Sequence, residues 1–374
     1  QAILECRGTP DFKWASTTIC AEQATSHDRM VVKCLGSFPS QMMHARRLPF
    51  NAVSGVSEGT SRFRTFSVLT PATNVVQMDA SPASRMFDDA SYFAGTRMPI
   101  NEATTLHPRS YKDPAMYDAE KCRVFETSWM CVGTVHDFAT PGTVRAQTVG
   151  RQPVFLARGE DGHLRAFKNE WRHRPGPVVD SSICERKRRF VCGRERWCYS
   201  LDGSLASAPH VHASQRGDFG LLPVRLDTFA HLVYINMDGQ APPLREYLGC
   251  AADQLVEHAP LLANPSEMVV AGTKTYRSKS NWKLLMENFM EYYHLPSVHP
   301  SLCAVSSVDA HQRTQGAGMN TSFITRPLSS GGTPLDPHSM PHLPGLTGDN
   351  HVTAWFHAIF PNVFYFCMPH TMFT

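Results

Sequence analysis

The chain has 374 residues, 42% hydrophobic and 18% charged, with a formal net charge of +3. That supports one or two ordinary cores and excludes both an acidic solvating chain and a strongly basic nucleic-acid surface. No apolar run reaches the roughly 18 residues that a spanning helix needs. The eleven cysteines follow no regular spacing, which fits free thiols in a reducing compartment.

Residues 1–42 open on Gln1 and show no periodic pattern. From Met43 to Val68 arginine, serine and small apolar residues prevail, and Glu58 is the only acid. An imported presequence has this composition, for the mitochondrial matrix first and the chloroplast stroma second; a disordered basic tail is the alternative. Residues 1–75 are therefore set outside the fold, and the turn-rich residues 76–112 read as a linker or arm. Asp113-Pro114 opens a helix with an acidic N-cap and proline at its first position, within 113–127. Trp129 to Val135, Val144 to Ala157 and Leu232 to Met237 alternate as strands and predict a small antiparallel β domain over 128–240. The basic string Glu185-Arg186-Lys187-Arg188-Arg189 is short and reads as a solvated loop. Pro242-Pro243 ends that domain, and a second one is expected over 241–374. It should be helical from Leu244, a strand over Met268–Lys279, a Pro/Gly/Ser-rich loop over 326–350, and two strands around a turn within Ala354–Phe366.

The stretch from Asn281 to His299 is the most informative. Ser280 is a candidate N-cap, and Pro296 stops clean continuation past His294 and Leu295. Trp282, Leu285, Phe289 and Tyr292 recur at helical spacing as a core-facing stripe. Glu287, Glu291 and His294 fall at i, i+4 and i+7, with Asn288 beside them, so they share another face. The turn after the helix can swing His299 back toward His294. Two neutral imidazoles suit iron, zinc or copper. With 18 histidines in the chain, two hydrogen-bonded histidines are the plainer alternative.

The run Asn281-Trp282-Lys283, then Glu287-Asn288, Glu291-x-x-His294 and His299, closely resembles the iron-binding helix of the Rieske non-haem iron oxygenases. These are the large (alpha) subunits of ring-hydroxylating dioxygenases and their relatives, and the run looks most like the choline monooxygenase branch. The resemblance implies that His294 and His299 are two arms of a 2-His-1-carboxylate site for mononuclear Fe(II). It implies that Glu291 links the cluster of one subunit to the iron of its neighbour, and that Asn288 and Tyr293 orient the ligands. Packing explains Tyr293 equally well. Upstream, Trp171-Arg172-His173-Arg174 and Cys192-Gly193-Arg194-Glu195 stand where the family carries Cys-x-His and Cys-x-x-His for a [2Fe–2S] cluster. His173 and Cys192 remain as cofactor ligands, whereas Trp171 and Glu195 replace the other two. Cys184 and Cys198 are off the family's spacing, so a conventional cluster is not expected. Decay of the module or altered codons in the sequence record would each account for this.

The same resemblance implies an α+β fold: a small antiparallel Rieske-type domain followed by a helix-grip-like catalytic domain, incomplete at its carboxyl end. The third iron ligand is expected beyond Thr374, and Asp309 does not match its place. Also implied are O2, a small organic substrate (choline or another quaternary ammonium compound first), a separate reductase or ferredoxin, and a homotrimer. Trp355, Phe356, Phe364 and Tyr365 are candidates for a cation–π cage, against ordinary strand core. Two alternatives stand beside the oxygenase: a non-catalytic paralogue that keeps the fold, and a protein that binds iron or zinc through His294 and His299 alone.

Overall fold

The computed structural model describes residues 12–20 (backbone only), 87, 89–180, 185–268, 270–314, 316–326, 342–369 and 371–374. The presequence expected from Met43 to Val68, Cys184 and most of the 326–350 loop lie outside them. In chain order the first strand is β1 (Phe12–Cys20). Helix α1 (Pro114–Glu120) follows, where Asp113 accepts from the Ala115 N–H at 3.0 Å, and a wider turn carries the chain through Lys121–Phe125.

Strands β2 (Met130–Thr134), β3 (Thr143–Val149), β4 (Gln152–Arg158), β5 (Leu164–Lys168) and β6 (Glu185–Arg186) come next. A tip of three short strands, β7 (Phe190–Val191), β8 (Cys198–Tyr199) and β9 (Leu205–Ser207), is followed by β10 (Pro223–Phe229) and β11 (Leu232–Asn236). The larger sheet runs β2-β11-β10-β5-β4-β3-β6, all antiparallel, and the tip runs β7-β8-β9. The β3–β4 hairpin turns at Gly150-Arg151. Gly150 sits at φ 61°, where a Cβ would come within 2.5 Å of the Lys121 carbonyl oxygen, so only glycine fits.

Helices α2 (Leu244–Leu248) and α3 (Cys250–His258) lead to β12 (Gly272–Ser278), α4 (Trp282–Met290), α5 (Leu295–Val298) and α6 (Pro300–Val305). Strands β13 (His311–Thr314), β14 (Asn320–Thr325), β15 (Ala354–Ile359), β16 (Val363–Met368) and β17 (Thr371–Phe373) complete a second antiparallel sheet ordered β12-β1-β17-β16-β15-β14-β13. The α+β reading holds: two seven-stranded antiparallel sheets and the three-stranded tip, with helices. β1 departs from the expectation that residues 1–75 stay outside the fold, for it pairs with β12 from Phe12↔Ser278 to Thr18↔Gly272 and with β17. Its sequence is dense in aromatic and β-branched residues, and β12 and β17 would otherwise present open edges.

Strand alternation sorts the aromatic residues near the chain end. Trp355, Ile359, Val363, Tyr365 and Cys367 pack with Leu248, Leu255 and their neighbours on α2 and α3. Phe356, Ala358 and Phe364 pack with Met286, Phe289 and Met290 of α4. Phe356 stacks on Phe323 at 4.3 Å, Phe364 lies 4.4 Å from Phe289, and Trp355 stacks on His258. The four cage candidates thus divide two and two across the sheet, and a single cage built from all of them is ruled out.

Candidate metal and catalytic site

Helix α4 is rooted in the core of the first sheet. Trp282 packs with Phe125, Met130, Val154 and Ile235, and its indole Nε1 donates to Glu120 at 2.8 Å. Lys283 is buried and ion-paired with Glu120. Burial pulls the Lys283 ammonium below its usual range, and the Glu120 carboxylate opposes that shift. The N-cap is Asn281, whose side chain accepts from the Lys283 N–H at 3.0 Å, not Ser280, which bonds Ser278 at 2.6 Å. At the other end Arg313 donates to the Met290 carbonyl at 2.8 Å.

The helix stops at Met290, one turn earlier than its pattern predicts, so the expected shared face of Glu287, Glu291 and His294 does not form. Glu287 instead accepts from the Tyr111 hydroxyl at 2.7 Å. Burial and the Glu287 carboxylate push that phenol's pKa upward. Glu291 is extended and folds back over the next turn, accepting from the N–H of Tyr293 at 2.7 Å and of His294 at 3.3 Å. These local bonds compete with helix continuation and explain the early stop.

The same turn brings the candidate residues together. The rings of His294 and His299 lie 5.3 Å apart, edge to face at 79°. A Glu291 oxygen bonds His294 Nδ1, and Asn288 Nδ2 sits 3.4 Å from that nitrogen and 3.5 Å from Glu291 Oε1. Burial raises the Glu291 carboxyl, but its bonds from His294 and the Tyr293 N–H outweigh this and hold it below the ordinary range. In the tautomer whose Nδ1–H donates to the Glu291 carboxylate, His294 keeps its Nε2 lone pair for a metal. His299 is exposed at the mouth of the turn, so the donor set fits a transition ion held by two imidazoles. The Tyr293 side chain is 84% exposed with its ring 5.9 Å from that of Tyr292, and it is the backbone N–H of Tyr293 that bonds Glu291. Asp309 is exposed in the Val308–Ala310 turn, and among the described residues no carboxylate completes a three-donor group with His294 and His299.

A second constellation lies at the tip. His173 and Cys192 meet there, and Glu195 joins them: Cys192 Sγ donates to Glu195 Oε2 at 2.8 Å, and His173 Nε2 is 3.3 Å from the same oxygen. Arg174 Nε pairs with that carboxylate at 3.1 Å. Bonding from Cys192 holds the Glu195 carboxyl low, while burial keeps His173 below its usual pKa against the pull of Glu195. Trp197 stacks on His173 at 4.7 Å and 22°, and Trp171 is buried beside Tyr199. Arg174 and Trp197 carried no clear signal in the sequence beyond their neighbours, and Glu120 and Tyr111 lie more than 160 residues before the helix residues they bond.

Two family models match the chain: Rieske [2Fe-2S] domain over 128–229, and ring hydroxylating alpha subunit (catalytic domain) over 265–374. The chain belongs to the Rieske non-haem iron oxygenases. It is 32% identical over 216 residues to the carnitine monooxygenase oxygenase subunit of Escherichia coli (strain K12), covering 57% of each chain. It is 30% identical over 201 residues to the biphenyl 2,3-dioxygenase alpha subunit of Rhodococcus jostii (strain RHA1), covering 52% of this chain and 43% of that one. These alignments span about half the length of such curated relatives. A solved structure of the quaternary ammonium Rieske monooxygenase CntA shares the fold, with a TM-score of 0.56 at 23% identity over 71% of this chain and 72% of that one.

The cluster that gives the Rieske oxygenases their name does not fit the tip as this chain builds it. Trp171 fills a cysteine's place in the core, and among the described residues the only three-donor group is His173, Cys192 and Glu195, with one thiol where the cluster needs two. Cys198 does not join it.

Proposed function

We propose that this Rieske-family chain is the large subunit of an oxygenase that hydroxylates a small organic substrate with O2 at a mononuclear iron held by His294 and His299. The observation that carries this reading is the edge-to-face approach of the two imidazoles, with a Glu291 carboxylate oxygen bonded to His294 Nδ1. A ferrous ion held there supplies oxygen activation beside a substrate C–H bond. The residues around it do the rest. Glu291 sets the tautomer and aim of His294, Asn288 steadies Glu291, and Phe289, Phe323 and Phe356 form an apolar wall under the turn. Quaternary ammonium compounds are the first substrate class to test, since relatives named for carnitine and glycine betaine lie among the matches. A separate reductase or ferredoxin supplies electrons, and the working unit is a homotrimer. The arginine-rich stretch from Met43 to Val68 favours delivery to the mitochondrial matrix, which a fluorescent fusion of that stretch checks.

The deciding experiment measures bound iron and substrate-dependent hydroxylation in the full protein with a reductase, beside His294→Ala. Iron and product both lost in the variant is the expected result, and iron unchanged there removes this site. The filled tip favours a second reading, a paralogue that keeps fold and imidazole pair but takes no electrons through its own first domain. Product formation by this chain alone with a reductase would exclude it.

A further inference from the structure

The tip that no longer suits a two-iron cluster has not become an ordinary patch of core. Three unlike donors from two loops converge there: His173 from the loop after β5, Cys192 from the end of β7, and Glu195 from the β7–β8 turn. One donor atom from each lies within 4.8 Å of the other two. The turn is held closed, since Cys192 N–H donates to the Trp197 carbonyl at 2.8 Å and Arg196 N–H to the Cys192 carbonyl at 3.1 Å. Arg196 sits at φ 62°, a left-handed conformation that lets the chain reverse and carry Glu195 back over Cys192. The His173 side chain is only 9% exposed, and its Nδ1 is buried with no hydrogen-bond partner. Its Nε2, 3.3 Å from Glu195 Oε2, is the nitrogen placed to ligate.

We propose that His173, Cys192 and Glu195 bind a single divalent ion of the zinc class where relatives of this fold hold a two-iron cluster. Thiolate, imidazole and carboxylate are the three ligand types zinc takes in four-coordinate sites, and the partly exposed Glu195 leaves room for water as the fourth. The charges balance. The ion brings +2, Cys192 as thiolate and Glu195 as carboxylate bring −2, and the Cys192 thiol proton, now bonded to Glu195, leaves to solvent. Arg174 then keeps its place against the outer side of the carboxylate and the sulfur, as an orienting neighbour. One ion, unlike two bridged irons, needs no fourth protein ligand, so Trp171 can remain buried.

The test uses the full chain carrying His294→Ala and His299→Ala, which removes the other imidazole pair, stripped of metal and titrated with Co2+. Expected is a thiolate-to-cobalt absorption band saturating at about one equivalent, with about one proton released per ion. Zn2+ should abolish the band. It should disappear in Cys192→Ser, and affinity should drop about tenfold or more in Glu195→Gln, an exposed position where folding is preserved. No thiolate band, a band that survives Cys192→Ser, or affinity unmoved by Glu195→Gln overturns the proposal. So does recovery of iron with acid-labile sulfide at the tip. None of these readouts depends on hydroxylation, so this proposal and the oxygenase reading fail independently.

Discussion

The tip around His173 and the turn around His294 come from the same family pattern and have been kept in opposite ways. At the tip the imidazole is packed between aromatic rings, and its carboxylate partner belongs to an internal network of Cys192, Glu195 and Arg174. At the turn the rings meet in a mouth open enough to leave His299 exposed, and the carboxylate reaches only the Nδ1 side of His294. A substituted ligand does not leave a hole. The surrounding core closes on the new side chain, and the remaining polar groups find each other. An unsubstituted pair keeps its two rings face to edge, whereas at the tip the donors are already bonded to one another and an ion has to displace the Cys192 proton from Glu195.

The sharpest way to break the contrast is to restore both donors together, Trp171→Cys with Glu195→His. If ligand identity alone separates the regions, the double variant should go from no cluster to about two irons with sulfide, and give a paramagnetic signal after reduction. If it gains neither, packing of the tip excludes the cluster as well. The anchoring of the turn is tested next. Glu120→Ala leaves the Lys283 ammonium buried without its carboxylate and should cost about 3–5 kcal/mol in chemical denaturation. Glu291→Gln acts on a smaller scale. Metal bound at His294 and His299 should weaken by about 10–100-fold without loss of stability, because only the group orienting His294 changes. An equal effect on metal at the tip would show that the two regions are coupled.

A pH experiment reaches a part of the core outside both regions. Burial holds His258 at about 3 and His357 at about 4, below the 6.5 of an ordinary histidine. The unfolded chain therefore binds more protons in that window. Stability is full above about pH 6.5 and falls as pH drops toward 4, by up to about 1.4 kcal/mol per pH unit for each histidine. His357→Phe should flatten that slope in denaturation curves, and an unchanged slope would assign acid sensitivity elsewhere. Smallest of all, Tyr293→Phe should change stability by less than about 0.5 kcal/mol and leave metal binding unmoved, since the side chain is 84% exposed.

Much of this was legible from residues alone. Asp113-Pro114, the alternating strands, the helix from Trp282 and the substitutions at 171 and 195 are local signals, because capping, period and ligand identity need only near neighbours. The true end of the metal helix was not, since Glu291 binding the backbone ahead of it had to be weighed against one more helical turn. Nor could periodicity divide Trp355 and Tyr365 from Phe356 and Phe364 into separate cores before the sheet's two faces were known. By itself the sequence determined which donors exist and where short elements begin. Only the tertiary structure decided which donors meet: Glu195 joins Cys192 and His173, and Glu120 reaches across more than 160 residues to hold the helix. Such contacts depend on how sheets and loops stack in space, and distance along the chain carries no information about that.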